Sequence, residues 1–254
     1  MWMARLTGGR SCLYCQTDSR FIAERDLVPR TVDVEARAVR RDAFIDVALH
    51  LIQAKGYEQM SVQDVLDALD ASRGAFYHYF DSKLALLEAV VERIVEAALA
   101  AVMPVVSDPE LGAPAKLERF FSGIAGWKAE RRELMLALLR VWNSDDNAIV
   151  RDKLRRGMVM RLVPVLAEII RQGGEEGVFS VGSAEGAAGA VVALIQGAQD
   201  RAVELFLASQ VDAVPFEAVQ VSFAAYGEAL TRTLGAPPGS LALVDERTLQ
   251  LWFG

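Results

Sequence analysis

Histidine and cysteine are scarce in this chain of 254 residues, with two of each. Cys12 and Cys15 form a C-x-x-C pair, but a closed zinc site needs four ligands, and His50 and His78 both fall inside helical patterns elsewhere. So few groups supply neither a metal centre nor a Ser-His-Asp or Cys-His set, and no glycine-rich phosphate loop is present. The expectation is a protein without cofactor, metal or catalytic activity. Long apolar runs are also missing. A membrane helix wants about 18 consecutive apolar residues, whereas the longest uncharged stretches, Ala97 to Ser107 and Gly186 to Gln199, are shorter and rich in alanine. Arg5 and Arg10 break up any leader-like apolar segment near the N-terminus. No membrane span and a cytoplasmic location are expected. Sustained apolar-polar alternation between hairpin turns is absent too, which argues against strands and for an all-α chain.

What is present is a composition for a packed interior: 52% hydrophobic and 24% charged residues, in a chain long enough for one large domain or two modest ones. The net charge of -7 is unevenly spread. Residues 1 to 41 hold eight arginines against five acids, so the acidic surplus belongs to the remainder and the basic balance to the N-terminal end.

Helical periodicity starts in earnest at Val39, where Phe44, Val47, Ala48, Leu51 and Ile52 line one face until Gly56. Ser61 opens a two-turn helix from Val62 to Leu69, able to accept a hydrogen bond from an orphan backbone N–H, with Asp64 three residues on near the positive end of the helix dipole. A second short helix, Arg73 to Tyr79, follows after only Asp70, Ala71 and Ser72. Asp81 then caps a long helix running toward Pro104. Further amphipathic helices are expected at Lys116 to Lys128, Arg132 to Asn143 and Ala148 to Gln172, the last kinked at Pro164 and ended by Gly173 and Gly174. Two alanine- and glycine-rich helices, Ala184 to Leu207 and Pro215 to Leu234, suit half of a four-helix bundle between subunits. Beyond Pro237-Pro238-Gly239 a loosely held tail is expected.

Two short helices joined by a three-residue turn cannot bury much alone, so they need the flanking helices as support, which is the geometry of a helix-turn-helix. Val62, Val65, Leu66, Leu69, Phe76 and Phe80 would form its core, leaving Arg73, Ala75, Tyr77 and His78 outside. The run from Ser61 to Lys83 resembles the DNA-binding signature of the TetR family, above all in Ser72, Gly74, Phe76-Tyr77-His78-Tyr79-Phe80 and Ser82-Lys83. The likeness covers about residues 37 to 100, with a weaker similarity from Glu130 to Phe179. One departure is Asp70, where the family usually places glycine; aspartate tolerates the left-handed region better than most residues.

The resemblance implies an N-terminal extension at 1–36, a helix-turn-helix domain at 37–83, a helical ligand-binding and dimerisation domain at 84–235, and a C-terminal tail at 236–254. It implies that Arg73, Gly74 and Ala75 face the floor of the major groove, with Arg73 able to bond a guanine. Tyr77, Tyr79 and Lys83 match phosphate-holding positions, Ser61 and Gln63 would meet the flanking strand, and His78 suits either task. Phe120, Phe121, Trp127, Met135, Trp142 and Met158 are candidates to line a pocket for a small apolar ligand, being adaptable aromatic and thioether side chains on helices of the second domain. The function expected is a ligand-released repressor, a homodimer on palindromic double-stranded operator DNA. An activator would use the same contacts. A helical small-molecule carrier or enzyme without DNA binding is the competing class, drawn from the acidic balance and the apolar second half.

Overall fold

The computed structural model describes residues 30–142 and 148–254, so Cys12, Cys15 and the expected extension up to residue 29 lie outside the described residues. Among the described residues the chain is helical, without strands. The helices are α1 (Arg30–Lys55), α2 (Val62–Leu69), α3 (Arg73–Tyr77), α4 (Lys83–Val106), α5 (Ala113–Glu130), α6 (Arg132–Trp142), α7 (Ala148–Glu175), α8 (Ala184–Ser209), α9 (Phe216–Leu234) and α10 (Glu246–Phe253). Two units result, Met1–Arg40 and Arg41–Gly254. In the first, the described part is the opening turns of α1, which begins at Arg30 rather than near Val39. Residues 30–36, assigned from sequence to the N-terminal extension, are therefore helical, carried by Glu35, Ala36, Arg37 and Ala38, which propagate a helix without needing an apolar stripe.

The second unit holds two hydrophobic clusters. The first is built from α1, α2, α3 and the start of α4, with Phe44, Ile52, Val65, Phe76, Leu86 and Val90 buried, and is closed by Leu134 of α6. The second takes the far half of α4 together with α5, α7, α8, α9 and α10. No break separates them at residue 83, because α4 runs continuously from one core into the other. Helix starts are set by short polar caps: Ser61, Ser72, Ser82, Ser183 and Asp245 each accept a hydrogen bond from a first-turn N–H. Ser82, not Asp81, caps α4, since its extended backbone aims Oγ at the Ala85 N–H, 3.0 Å away.

Polar contacts fix the helix directions in the second cluster. Lys116 Nζ donates to the Val106 carbonyl at 2.7 Å, and a Cβ added to Gly123 would meet Val102, so α4 and α5 run antiparallel. The Ala113 N–H donates to Glu176 at 2.9 Å and Gln172 to the Leu111 carbonyl at 2.8 Å, which sets α5 antiparallel to α7. Ion pairs Glu88–Lys153 and Glu96–Arg161 set α4 parallel to α7. Arg155–Asp200 and Arg171–Glu185 set α8 antiparallel to α7.

Two expectations are corrected here. Helix α7 continues through Pro164, Gly173 and Gly174 to Glu175 and is ended by Gly177 at φ 72. Gly173 serves packing instead of termination: a Cβ there would lie 2.0 Å from the Phe179 ring. The segment after Pro237 is not a loose tail. Leu241, Leu243 and Leu249 are buried in the second cluster, and the Phe253 ring lies 6.3 Å from Phe223. Its apolar spacing, Leu241-x-Leu243 and then Leu249, is too short to register as a helical stripe.

Candidate nucleic-acid interface

The pair α2–α3 is positioned from both ends. Ser61 and Asp64 form a reciprocal capping box: the Asp64 N–H donates to Ser61 Oγ at 3.1 Å, and the Ser61 N–H to Asp64 Oδ2 at 2.6 Å. Hydrogen bonds from Lys55 and Ser61 hold the Asp64 carboxyl well below the usual carboxylate range, and Lys55 Nζ lies 2.8 Å from it. The tight turn passes through Asp70 at φ 46 and ψ 49, the left-handed conformation expected of it. Its N–H and that of Ala71 close back onto α2 carbonyls, and Ser72 caps α3 through the Ala75 N–H at 3.2 Å.

Helix α3 is shorter than expected, ending at Tyr77 with His78 as its cap, so Tyr79 lies outside it. The chain must turn there because Phe80 returns to the core, its ring 5.7 Å from Phe76 and 6.2 Å from Phe44. This divides the expected contact residues. Ser61, Gln63, Arg73, Gly74, Tyr77 and His78 are exposed, with Tyr77 at 54%. Ala75 and Tyr79 are half-buried against the first core, the Tyr79 ring 5.8 Å from Phe44. Lys83 is half-buried and anchored, its ammonium 4.1 Å above the Tyr57 ring and 3.3 Å from the Glu58 carbonyl, and burial lowers its pKa. Gln63 Nε2 donates to Asp67 Oδ1 at 2.7 Å.

Gly74 carries a specific message. A Cβ there would meet nothing nearer than Ser72 Oγ at 3.9 Å, so nothing within the described residues requires glycine. The missing side chain leaves the backbone of α3 open to close approach from outside.

The cations sort in the same way. Between residues 41 and 94, Lys55 is paired with Asp64, Arg93 with Asp42 and Asp46, and Lys83 with a carbonyl. Among the described residues Arg73 and Arg41 have no ionic partner, and both are exposed. Arg41 holds its guanidinium 5.4 Å from the centre of the Phe80 ring. It was missed as a candidate because Arg40-Arg41 reads only as part of a generally basic N-terminal segment.

The five candidate pocket residues whose side chains are described do not converge. Phe120 is core, 2% exposed, with Phe121 beside it at 5.8 Å. Trp127 lies under the Arg131 guanidinium, 4.2 Å away. Met135 packs on the first core and Met158 on the second, while the Trp142 side chain lies outside the described residues. A cavity of about 190 Å³ between α5 and residues 239–248 takes only Phe121 of the five, with Leu117, Ser122, Leu243 and Thr248. Residue type selects adaptable side chains but does not say which of two cores each will fill.

The model of bacterial regulatory proteins of the tetR family matches residues 44–90, the segment just described. The chain is 26% identical over 144 residues to the HTH-type transcriptional regulator EthR of Mycolicibacterium smegmatis, covering 50% of this chain and 66% of that one. It is 30% identical over 63 residues to the HTH-type transcriptional repressor KstR2 of Rhodococcus jostii, covering 25% and 31%. Both matches span less than two thirds of the relative's length. A crystal structure of a TetR transcription regulator from Haloarcula marismortui shares the fold, with a TM-score of 0.55 and 22% identity over 76% of this chain and 98% of that one. Signature, helix-turn-helix geometry and the family match agree on the same segment: residues 44–90 of this chain are similar to the bacterial regulatory proteins of the tetR family.

Proposed function

We propose that the protein is a DNA-binding transcriptional regulator, a homodimeric repressor that holds a palindromic operator and releases it when a small apolar ligand binds. The observation that carries this reading is the exposed face of α3, where Arg73 is unpaired, Gly74 is not required by packing, and Tyr77 and His78 point outward. Arg73 suits a bidentate bond to guanine in the major groove. Ser61, Gln63 and Tyr77 supply polar groups for phosphates, and the N-terminus of α2 favours anions. Tyr79 and Lys83 contribute mainly by holding the helix-turn-helix together. A carrier or enzyme would leave this face without a purpose. A repressor role is in keeping with the Rhodococcus relative, itself a transcriptional repressor. Among the described residues no helix is long and apolar enough to cross a membrane, and a cytoplasmic location, where operator DNA is met, belongs to this same proposal.

Dimerisation is supported by small and apolar side chains left exposed on α8 and α9: Ala190, Ala193 and Leu207 on the former, Ala218, Val221 and Ala225 on the latter. Val221 is 66% exposed. Such stripes allow the close helix contact of an intersubunit four-helix bundle. A two-fold dimer sets half-sites about one helical turn, roughly 34–36 Å, apart. Selection of bound sequences from a random DNA pool tests this directly. A two-fold symmetric motif with that spacing is expected; a pool that never enriches would overturn the proposal.

A further inference from the structure

Helix α5 and the segment at residues 239–248 do not close on one another, and the cavity of about 190 Å³ remains between them. Leu117, Phe121, Leu241 and Leu243 give it an apolar wall. Among the described residues its only charged lining groups are two carboxylates, Glu118 and Asp245, with no lysine, arginine or histidine beside them. Glu118 makes no ion pair or hydrogen bond among the described residues, and Asp245 uses one oxygen to cap α10 through the Thr248 N–H at 2.6 Å. The wall carries further free acceptors. From Leu241 to Val244 no backbone C=O or N–H takes part in a hydrogen bond among the described residues, although Leu241 and Leu243 are buried. The same segment reaches the DNA-binding end through packing. Asp245 and Thr248 line the cavity at the start of α10, and near the other end of that helix the Trp252 ring centre lies 5.7 Å from the guanidinium of Arg132, the first residue of α6. Two residues on, Leu134 is buried in the first core with Phe44 and Phe76.

Two carboxylates and unpaired carbonyls with no cation among them attract a positive ligand and repel an anion. A cavity of roughly 150 Å³ holds a benzene ring, so this one has room for a single ring on a short chain. We propose that this cavity is the effector site and that its ligand is a one-ring primary amine, its ammonium at Glu118 and Asp245 and its ring against Leu117 and Phe121, with α10 passing the binding event to α6. The three N–H donors of an ammonium match an acceptor-rich wall. The inference rests on reading the protein as ligand-released and narrows the ligand from any apolar molecule to an apolar body with a positive head.

Titration calorimetry on the full chain with phenethylamine, 2-phenylethanol and phenylacetate tests the site. The amine is expected to bind about 10-fold tighter than the alcohol, the scale of one charge-assisted hydrogen bond, and the acid weakest of the three. E118Q alters an exposed side chain, so it should leave Tm unchanged while bringing amine and alcohol close to equal affinity. Equal affinity for amine and alcohol on the unaltered protein, preference for the acid, or binding of none overturns the site, as does an E118Q protein that keeps the full preference. Phenethylamine should also release a duplex enriched from the random pool, and R132Q should keep amine binding but release DNA less readily. Unchanged release in R132Q overturns the route through α10. Amine binding that leaves DNA affinity untouched overturns the effector role and the ligand-released reading together, whereas failure of amine binding overturns this site alone.

Discussion

The turn between α2 and α3 holds the single non-glycine residue at positive φ among the described residues, Asp70 at φ 46. A residue with a Cβ pays roughly 1–2 kcal/mol in this region, and aspartate pays toward the lower end because its short polar side chain tolerates it. The Asp70 carboxylate makes no hydrogen bond among the described residues that would be lost on substitution. D70G removes the clash but frees the unfolded chain, which costs about 0.5–1 kcal/mol, so the net gain should be no more than about 1 kcal/mol. D70A keeps the Cβ and loses the polar side chain, and should destabilise by about 1 kcal/mol. For a chain of this size each kcal/mol moves Tm by about 2–4 °C. Thermal melts followed by circular dichroism should rank the proteins Gly at or above Asp, and Asp above Ala. An alanine variant as stable as the glycine variant would refute the claim that this turn stores left-handed strain.

Adjacent glycines in α7 should respond in opposite directions. G173A drives a methyl into the Phe179 ring and should cost about 1–3 kcal/mol, whereas G174A faces open space and should gain up to about 1 kcal/mol; denaturant midpoints will show the sign. Glu176 accepts from the Ala113 N–H and from Gln172, and both bonds lower its pKa. Its stabilising contribution is therefore complete above the unfolded carboxylate pKa of about 4.3 and lost as pH falls through the lower folded value. E176Q should flatten the acid limb of a plot of Tm against pH, and an unchanged limb would contradict the assignment. K83A should lower Tm as well as DNA affinity, because the ammonium is anchored on Tyr57 and Glu58; weaker DNA binding at unchanged Tm would make it a phosphate contact only.

Much of this architecture was readable from spacing and caps. The Ser61 cap, the left-handed Asp70, and the inward set Val65, Leu66, Phe76 and Phe80 all stand where the pattern puts them, because each is decided by residues within a few positions. The failures have a different physical origin. Tyr79 and Ala75 look equivalent to their exposed neighbours until the return of Phe80 to the core turns the chain and half-buries them. Gly173 reads as a helix stop, but its use depends on a ring six residues away that packs over it. Leu241 and Leu243 are buried by α5 and α9, partners far away in the chain, which no local period reveals. Where the pocket candidates sit was not readable for the same reason: which core a methionine or tryptophan fills is set by helix directions fixed through contacts such as Glu88–Lys153 and Ala113–Glu176.

Fluorescence anisotropy on labelled duplexes, using the DNA upstream of the protein's own gene and a scrambled duplex between 50 and 200 mM salt as order-of-magnitude bounds, probes the exposed face of α3 most directly. The unaltered protein should prefer the upstream duplex and weaken steeply as salt rises, and R73A should lose about 1–3 kcal/mol of that preference while retaining most binding to the scrambled sequence. An R73A protein that discriminates as well as the original, or an original that ignores both duplexes, would contradict the assignment of α3 as the sequence-reading element.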